Sequence, residues 1–483
     1  MQISEKYILE LEALIRSGDL SVAAQRLANL SVKQIPRRYC ARLGALANRV
    51  GRTAMTLKLL NPLVRGGRSK EEAATPEELI EYAEALRRLG ATREAEQILS
   101  RLSHLQLPVV NLRWAYCLIS QWRYREAIPR LQDYLNAVPT TEYSNVIARV
   151  NLAAALIFEQ DHVYAEQILS SLHEETKTPG RELLHTNCLE LKAQLEIFRG
   201  QWREAHLALD RAEATVATTK SHYNLYLQKW RAIALSLEQN RAHPSLVQVR
   251  QAAITAGSFE TERECDLYLG VTGRDPALVQ RVYFGTSQPS YRAKIEKLAA
   301  FCEFPDSYQT AGSPQVLDVL TARINGDANA IEEGELPHRL LILLARDFYR
   351  PATVLSAFSD LFPEEHFNPQ GSANRVHQVT RRLRQALEPL PLRLVEKSGC
   401  YRLHCEDQLA LRVRKDPIEL SARAIEWREI EDQFPSHPFS KMDVVRLKNC
   451  SVATAKRWLR WAVDTGHAQV VGSGNQQRYK IVA

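Results

Sequence analysis

The sequence predicts a mainly α protein: an N-terminal α-solenoid of helical hairpins followed by two α+β modules. Three observations predict this. A small-residue motif recurs through the first 290 residues, two later stretches each read as helix, helix, basic helix, β-hairpin, and positive charge gathers in those two stretches. The expected boundaries are 1–290 for the repeats, 305–405 for the first module and 417–483 for the second.

A chain of 483 residues corresponds to about three domains. Its apolar fraction is ordinary for globular protein, so sizeable cores are within reach. Cys40, Cys117, Cys188, Cys265, Cys302, Cys400, Cys405 and Cys450 are scattered without C-x-x-C spacing. Cys400, His404, Cys405 and Cys450 could suggest zinc, but reduced thiols in or near a core are the favoured reading, so neither metal nor cofactor is expected. Met1–Lys6 lacks the basic start and apolar run of a signal peptide. No stretch approaches the roughly 18 apolar residues of a membrane span. A cytoplasmic protein without membrane contact is therefore expected.

The repeat motif is Arg93-Glu94-Ala95, Arg125-Glu126-Ala127 and Arg203-Glu204-Ala205, with a fourth copy at Tyr164-Ala165-Glu166. Each alanine is followed four residues later by a leucine: Leu99, Leu131, Leu169 and Leu209. Each is preceded twelve residues earlier by another alanine: Ala83, Ala115, Ala153 and Ala193. Weaker copies centre on Ala23 with Leu27 and on Met55 with Leu59. An i, i+4 pair of small and large apolar residues shares one helix face. The upstream alanine lies on the preceding helix, and two small residues let antiparallel helices approach closely. Gly90-Ala91-Thr92 and Gly200-Gln201-Trp202 supply turns between them. The next hairpin buries the apolar edge that one hairpin leaves open.

Equivalent positions recur every 32 to 40 residues, and the segment resembles a tetratricopeptide-repeat solenoid of six or seven hairpins. The resemblance implies a concave groove that holds a protein or peptide. Asn111, Asn151 and Asn187, on first helices of successive repeats, are candidates to hydrogen-bond an extended backbone there; they read equally well as solvated positions.

Near residue 305, Pro305, the run Thr310–Pro314 and Gly326-Asp327 break the pattern. Val316–Ile324 is β-branched enough for one or two short strands, with helix as the competitor. Helices are expected over Leu336–Asp347 and Pro351–Leu361, with Pro351 in the first turn. In Ser372–Leu387, with Ser372 as cap, Val376, Val379, Leu383 and Leu387 form one face. Asn374, Arg375, Gln378, Arg381, Arg382, Arg384 and Gln385 occupy the others. Leu392–Glu396 and Cys400–Leu403 then read as strands around Lys397-Ser398-Gly399. This is the winged-helix order, in which the third helix enters a major groove and the hairpin touches phosphates or the minor groove. Through Arg382-Leu383-Arg384-x-x-Leu387 and Gly399-x-Tyr401-Arg402-Leu403 the segment resembles the DNA-binding effector domain of response regulators. The receiver domain of that family has no counterpart here, so its phosphorylation control is not carried over.

Asp407–Lys415 reads as a polar linker. Helices follow over Ile418–Asp432, Ser440–Lys448 and from Ser451, as cap, to Asp464. Val452, Ala455, Leu459 and Val463 form the inner face of the last; Thr454, Lys456, Arg457 and Arg460 face outward. Trp458 is expected in the core and Trp461 at the surface. Gly466 ends the helix. Ala468–Val471, a turn Gly472–Asn475 and Gln477–Val482 make a hairpin, and the segment resembles the winged helices of many bacterial regulators.

Residues 371–403 carry seven basic side chains against two acidic, a net of +5; residues 441–483 carry eight against two, a net of +6. The whole chain is only +7, so the remainder is net −4. Cations placed where phosphates would be met provide the salt-dependent part of DNA affinity. The expected DNA-binding residues are Asn374, Arg375, Gln378, Arg381, Arg382, Lys397, Ser451, Thr454, Arg457, Arg460 and Arg478. A homodimer would suit the two-fold symmetry common in DNA sites. No phosphate-cradling loop, H-E-x-x-H or G-x-S-x-G occurs, so no catalytic residues are assigned and an enzyme is not expected. The expectation is a DNA-binding transcriptional regulator whose repeats bind a protein or peptide. The alternative is an adaptor that uses both parts for protein–protein contact.

Overall fold

The computed structural model describes residues 3–16, 18–66, 73–217, 223–326, 328–329, 331–415, 422–435, 437–472 and 477–482. It is mainly helical, with small sheets confined to the C-terminal region. The chain forms two compact units. The first is Met1–Glu303 with Thr353–Ser359 and Glu364–Ala373; the second is Phe304–Ala352, Asp360–Pro363 and Asn374–Ala483.

In the first unit helices follow one another in pairs. They are α1 (Glu5–Arg16) and α2 (Leu20–Ala28), α3 (Cys40–Arg49) and α4 (Thr53–Arg65), α5 (Pro76–Leu89) and α6 (Thr92–Leu102), then α7 (Pro108–Ile119) and α8 (Tyr124–Ala137). Next come α9 (Tyr143–Phe158) and α10 (His162–Thr176), α11 (Glu182–Phe198) and α12 (Trp202–Val216), α13 (Asn224–Glu238) and α14 (Pro244–Ala256), α15 (Phe259–Gly273) and α16 (Pro276–Phe284), and a single α17 (Pro289–Leu298). α1 packs on α2, and from α3 onward each helix packs on its successor; first helices also pack on first helices, as α1 on α3, α3 on α5, α9 on α11 and α13 on α15.

The small-residue motif explains this packing. Ala83, Ala95, Ala115, Ala127, Ala153, Ala165, Ala193 and Ala205 are all fully buried, as are Leu99, Leu131 and Leu209. A side chain of one methyl at each crossing lets backbones approach, and the following leucine fills the space beside it. The second hairpin departs by one residue. Met55 is only half-buried, whereas Thr56 is fully buried and its Oγ1 donates to the Gly44 carbonyl at 2.9 Å. A Cβ on Gly44 would stand 3.1 Å from Thr56 and 3.3 Å from Leu60, so glycine fills the small position here. The expected six or seven hairpins become eight pairs among the described residues. The last two escape the alanine pattern: α14 buries Leu246, Val249 and Ala253, and α15 meets α16 through Gly270, where a Cβ would lie 2.8 Å from Val279.

In the second unit β1 (Ser307–Gln309), β2 (Gln315–Asp318), β3 (Arg323–Ile324) and β4 (Ala328–Asn329) precede α18 (Leu336–Ala345). Strand, not helix, is therefore the outcome for 316–324. His338 of α18 is fully buried: its Nδ1 accepts from the Gly334 N–H and its Nε2 donates to the Val319 carbonyl, both at 2.9 Å. That pairing ties the helix to the sheet with a neutral imidazole, and burial lowers the histidine pKa in the same sense.

Pro351 does not start the next helix. It precedes β5 (Ala352–Thr353), and α19 (Val354–Leu361) is opened by Thr353, whose Oγ1 accepts from the Ser356 N–H at 3.0 Å. α20 (Ser372–Leu387) follows, and Val376, Val379, Leu383 and Leu387 are all buried as expected. Ser372 is not its cap: the Ser372 hydroxyl instead accepts from the Asn368 N–H at 2.9 Å, tying down the preceding loop.

β6 (Leu392–Lys397) and β7 (Cys400–Cys405) pair antiparallel, and β7 also pairs with β5. Ser398 and Gly399 both have positive φ (53° and 74°), as a two-residue hairpin turn requires. The expected linker 407–415 contains β8 (Leu409–Arg414), which lies between β1 and β2 in a sheet of order β1-β8-β2-β3-β4. Its Leu409, Ala410, Leu411 and Val413 are buried, and four apolar residues in six outweigh the flanking charges that suggest a linker.

α21 (Ala422–Gln433), α22 (Lys441–Lys448) and α23 (Val452–Asp464) lead to β9 (Ala468–Val471) and β10 (Arg478–Ile481), which pair antiparallel. Ile418 and the turn residues Ser473, Gly474 and Asn475 lie outside the described residues. Ser440 caps α22 in a reciprocal box with Asp443, and the Ser451 hydroxyl accepts from the Thr454 N–H at 3.1 Å to cap α23. The buried face of α23 is Ala455, Leu459 and Ala462, with Val463 half-buried against the same core; Val452, at the first turn, is exposed. Trp461 is half-buried, stacked on His467 at 5.0 Å and edge-on to the buried Trp427 at 6.3 Å.

Candidate nucleic-acid interface

α20 sets apolar residues inward at helical spacing, which forces Asn374, Arg375, Gln378, Arg381 and Arg382 outward, and all five are exposed. Their surroundings differ. Arg375 stacks on Phe362, with Cζ 3.9 Å from the ring centroid. Arg382 pairs with Glu335 at 2.6 Å. Arg381 makes no ion pair among the described residues. Beside them, Arg384 pairs with Glu396 of β6 at 3.1 Å, which joins the basic helix to the hairpin. Lys397, the last residue before the turn, is exposed. Arg402, counted with the basic residues of this stretch, has a structural use: its guanidinium donates to the Tyr349 carbonyl.

α23 offers a second exposed cationic face. The Arg457 guanidinium donates to Thr454 Oγ1 at 3.2 Å and makes no ion pair among the described residues. Arg460 is 86% exposed and reaches Asp464 only at 3.9 Å. Arg478 at the start of β10 lies 3.8 Å from Asp443. Ser451 caps the helix by accepting from the Thr454 N–H, and the Ser451 and Thr454 hydroxyls lie 3.0 Å apart at its N-terminus. Lys448 is spent entirely: its side chain is buried between Glu333 at 3.0 Å and Glu429 at 2.6 Å, a role in holding the second unit together.

The two clusters share an architecture. Each is a helix with an apolar inner stripe, a cationic outer face and a β-hairpin directly after it, the first of which is extended by β5 into a three-stranded sheet. Four arginines decide how much positive potential remains: Arg381 and Arg457 are unneutralised, Arg460 is weakly neutralised, and Arg382 has a close carboxylate.

The groove candidates of the first unit divide. Asn111 accepts from Arg130 at 3.2 Å and is occupied in local packing. Asn151 and Asn187 line one cleft; Asn151 donates to the Ile147 carbonyl at 2.8 Å and Asn187 to the Tyr223 hydroxyl at 2.5 Å. Sequence reasoning missed the charged residues of that cleft, Glu190, Lys229, Glu264 and Lys294. Their helices carry other charged residues as well, so nothing in the sequence singles these four out.

No protein-family model matches the chain, and no curated protein matches it. No helix among the described residues is long and apolar enough to cross a membrane.

Proposed function

We propose that the protein is a DNA-binding transcriptional regulator, with a tetratricopeptide-like solenoid that binds a protein or peptide and two winged helices that grip a duplex. The observation that carries the reading is the pair of exposed cationic helix faces, on α20 and α23, each followed by a β-ribbon. On this reading Asn374, Gln378, Ser451 and Thr454 face base edges, while Arg375, Arg381, Arg382, Lys397, Arg457, Arg460 and Arg478 anchor phosphates or read guanine. The effector would act by changing how the two helices are presented, and a homodimer would match two-fold sites.

An adaptor is the second reading, and the Arg382–Glu335 and Arg384–Glu396 pairs favour it, since charge spent inside the protein does not attract phosphate. A mobility-shift titration of the full chain on pooled genomic fragments separates the two. The regulator reading expects a shift at low salt that weakens steeply as salt rises. Absence of any shift at low salt leaves the adaptor.

A further inference from the structure

The first unit contains a cleft of about 560 Å³ lined by residues of α9, α11, α13, α15 and α17 and of the α7–α8 turn. That volume is in the range of small-molecule sites. Its aromatic walls come from Trp122 and Tyr124 at the α7–α8 turn, Phe158 and Phe198 at the ends of α9 and α11, and Trp230 of α13. Trp122 lies 5.6 Å from Phe158 and Phe198 lies 6.0 Å from Trp230, two ring pairs with the Lys294 ammonium between them, 5.7 Å from Phe158 and 5.9 Å from Phe198.

Into this aromatic cleft the fold sends a charge imbalance. The Lys229 ammonium donates to Glu264 at 2.6 Å, and Lys294 of α17 donates to the same carboxylate at 3.4 Å. The nearby Glu190 does not balance the second lysine by hydrogen bonding; it accepts from Gln194 at 3.1 Å and from the Tyr223 hydroxyl. Two ammonium groups thus share one carboxylate. Lys297, one turn along α17 from Lys294, adds a third cation at the rim. Lys294 is held by rings as well, 5.4 Å from the Tyr291 centroid and 5.7 Å from that of Phe158. The buried Trp230 indole N–H lacks a hydrogen-bond partner of good geometry.

We propose that this cleft binds a small monocarboxylate with a flat apolar body, the carboxylate seated on Lys294 and Lys297 and the body against Trp122, Phe158 and Phe198. The charge selects a single negative charge: three lysines, Lys229, Lys294 and Lys297, face two carboxylates, so one excess ammonium is matched by one anion, and Glu190 and Glu264 repel a second. A cationic ligand is disfavoured because Lys294 already occupies the cation–π position. A phosphate is disfavoured because its second negative charge would face Glu190 and Glu264 with no further cation to match it. The site stands independently of DNA contact.

The test is calorimetric titration of the full chain with 2-naphthoate and with its uncharged isostere 2-naphthamide. Naphthoate should bind at one site, and naphthamide about tenfold more weakly or worse, the scale of one charge-assisted contact. Lys294→Gln should remove that preference, and Lys297→Gln should reduce it severalfold. Ala154→Trp, which fills the cleft without touching a charge, should abolish binding of both. Equal affinities for the two probes, or no heat with naphthoate, overturns the proposal. If Lys294→Gln fails to fold, the exposed Lys297→Gln decides, and an unchanged naphthoate preference in that variant is likewise fatal.

Discussion

Arginine does two different jobs in the two units. In the first it is mated across helices: Arg37 to Glu78 at 2.9 Å, Arg113 to Glu81 at 3.1 Å, Arg199 to Glu166 at 2.8 Å. In the second, Arg381 and Arg457 are exposed with no carboxylate partner among the described residues, and Arg460 reaches one only at 3.9 Å. Arginine content alone would not separate a folding role from a recognition role; the position of the nearest carboxylate does. Paired guanidinium groups fix the register of neighbouring helices, while unpaired ones leave a field outside the protein for a polyanion.

The largest break in this comparison comes from unpairing charge where it is buried. Glu264→Ala leaves Lys229 and Lys294 without their shared carboxylate, and removing one partner of a buried pair costs about 3–5 kcal/mol. The urea midpoint of the first unit, followed by tryptophan fluorescence, should fall accordingly; a fall under 1 kcal/mol would place the cluster among solvated pairs. Next in size is overpacking. Ala153 is fully buried at the α9–α10 crossing, and Ala153→Leu should cost about 1–3 kcal/mol by the same measurement. A neutral result would mean that small residues at the crossings are not what lets the helices approach.

Two buried glutamates of the first unit sharpen the comparison through pH. Burial alone would raise Glu84, but Arg87, Arg113 and Arg88 more than reverse it, so its carboxyl lies below the usual 4.5. Its contribution to stability is therefore fully present above pH 4.5 and is lost as pH falls below that value. Burial pushes Glu190 the other way, against the pull of Lys229 and Tyr223. The folded state then favours the protonated Glu190, and its contribution is lost as pH rises above 4.5. Urea midpoints across pH should show Glu84→Gln least stable, relative to wild type, near neutrality, with the gap closing in acid. Glu190→Gln should gain on wild type as pH rises. Parallel curves for the two variants would refute the assignment.

The sequence announces these features unequally. The alanine ladder was legible because a small residue at a helix crossing must recur with the repeat, so Ala83 with Ala95 and Ala153 with Ala165 can be read directly. Thr56 with Gly44 was off by one because a hydroxyl can sit in a small position when a carbonyl is there to receive it. The inner stripe of α20 was legible from periodicity alone; β8 was not, because its partners β1 and β2 lie about a hundred residues away and strand pairing leaves no local mark. Of the candidate interface, outward-facing positions follow from the inner stripe, but Glu335 opposite Arg382 and Phe362 under Arg375 are tertiary neighbours that no spacing encodes.

The smallest expected effects are the ones that bear most on function. Each arginine that meets a phosphate contributes about one unit to the slope of log affinity against log salt. Arg381→Ala and Arg457→Ala should each lower that slope by about one, measured by fluorescence anisotropy on a bound fragment, and should leave thermal stability unchanged because neither side chain has an ion pair to lose. Arg199→Ala should do the reverse, lowering the melting temperature through the lost contact to Glu166 while leaving the slope alone. Arg382 lies between the two jobs, since it must leave Glu335 to reach a phosphate. Glu335→Gln frees it, and DNA affinity at low salt should rise. If freeing Arg382 changes nothing and neither Arg381→Ala nor Arg457→Ala alters the slope, the two cationic faces are ordinary solvated surface, and the division of labour between paired and unpaired arginine has no bearing on DNA.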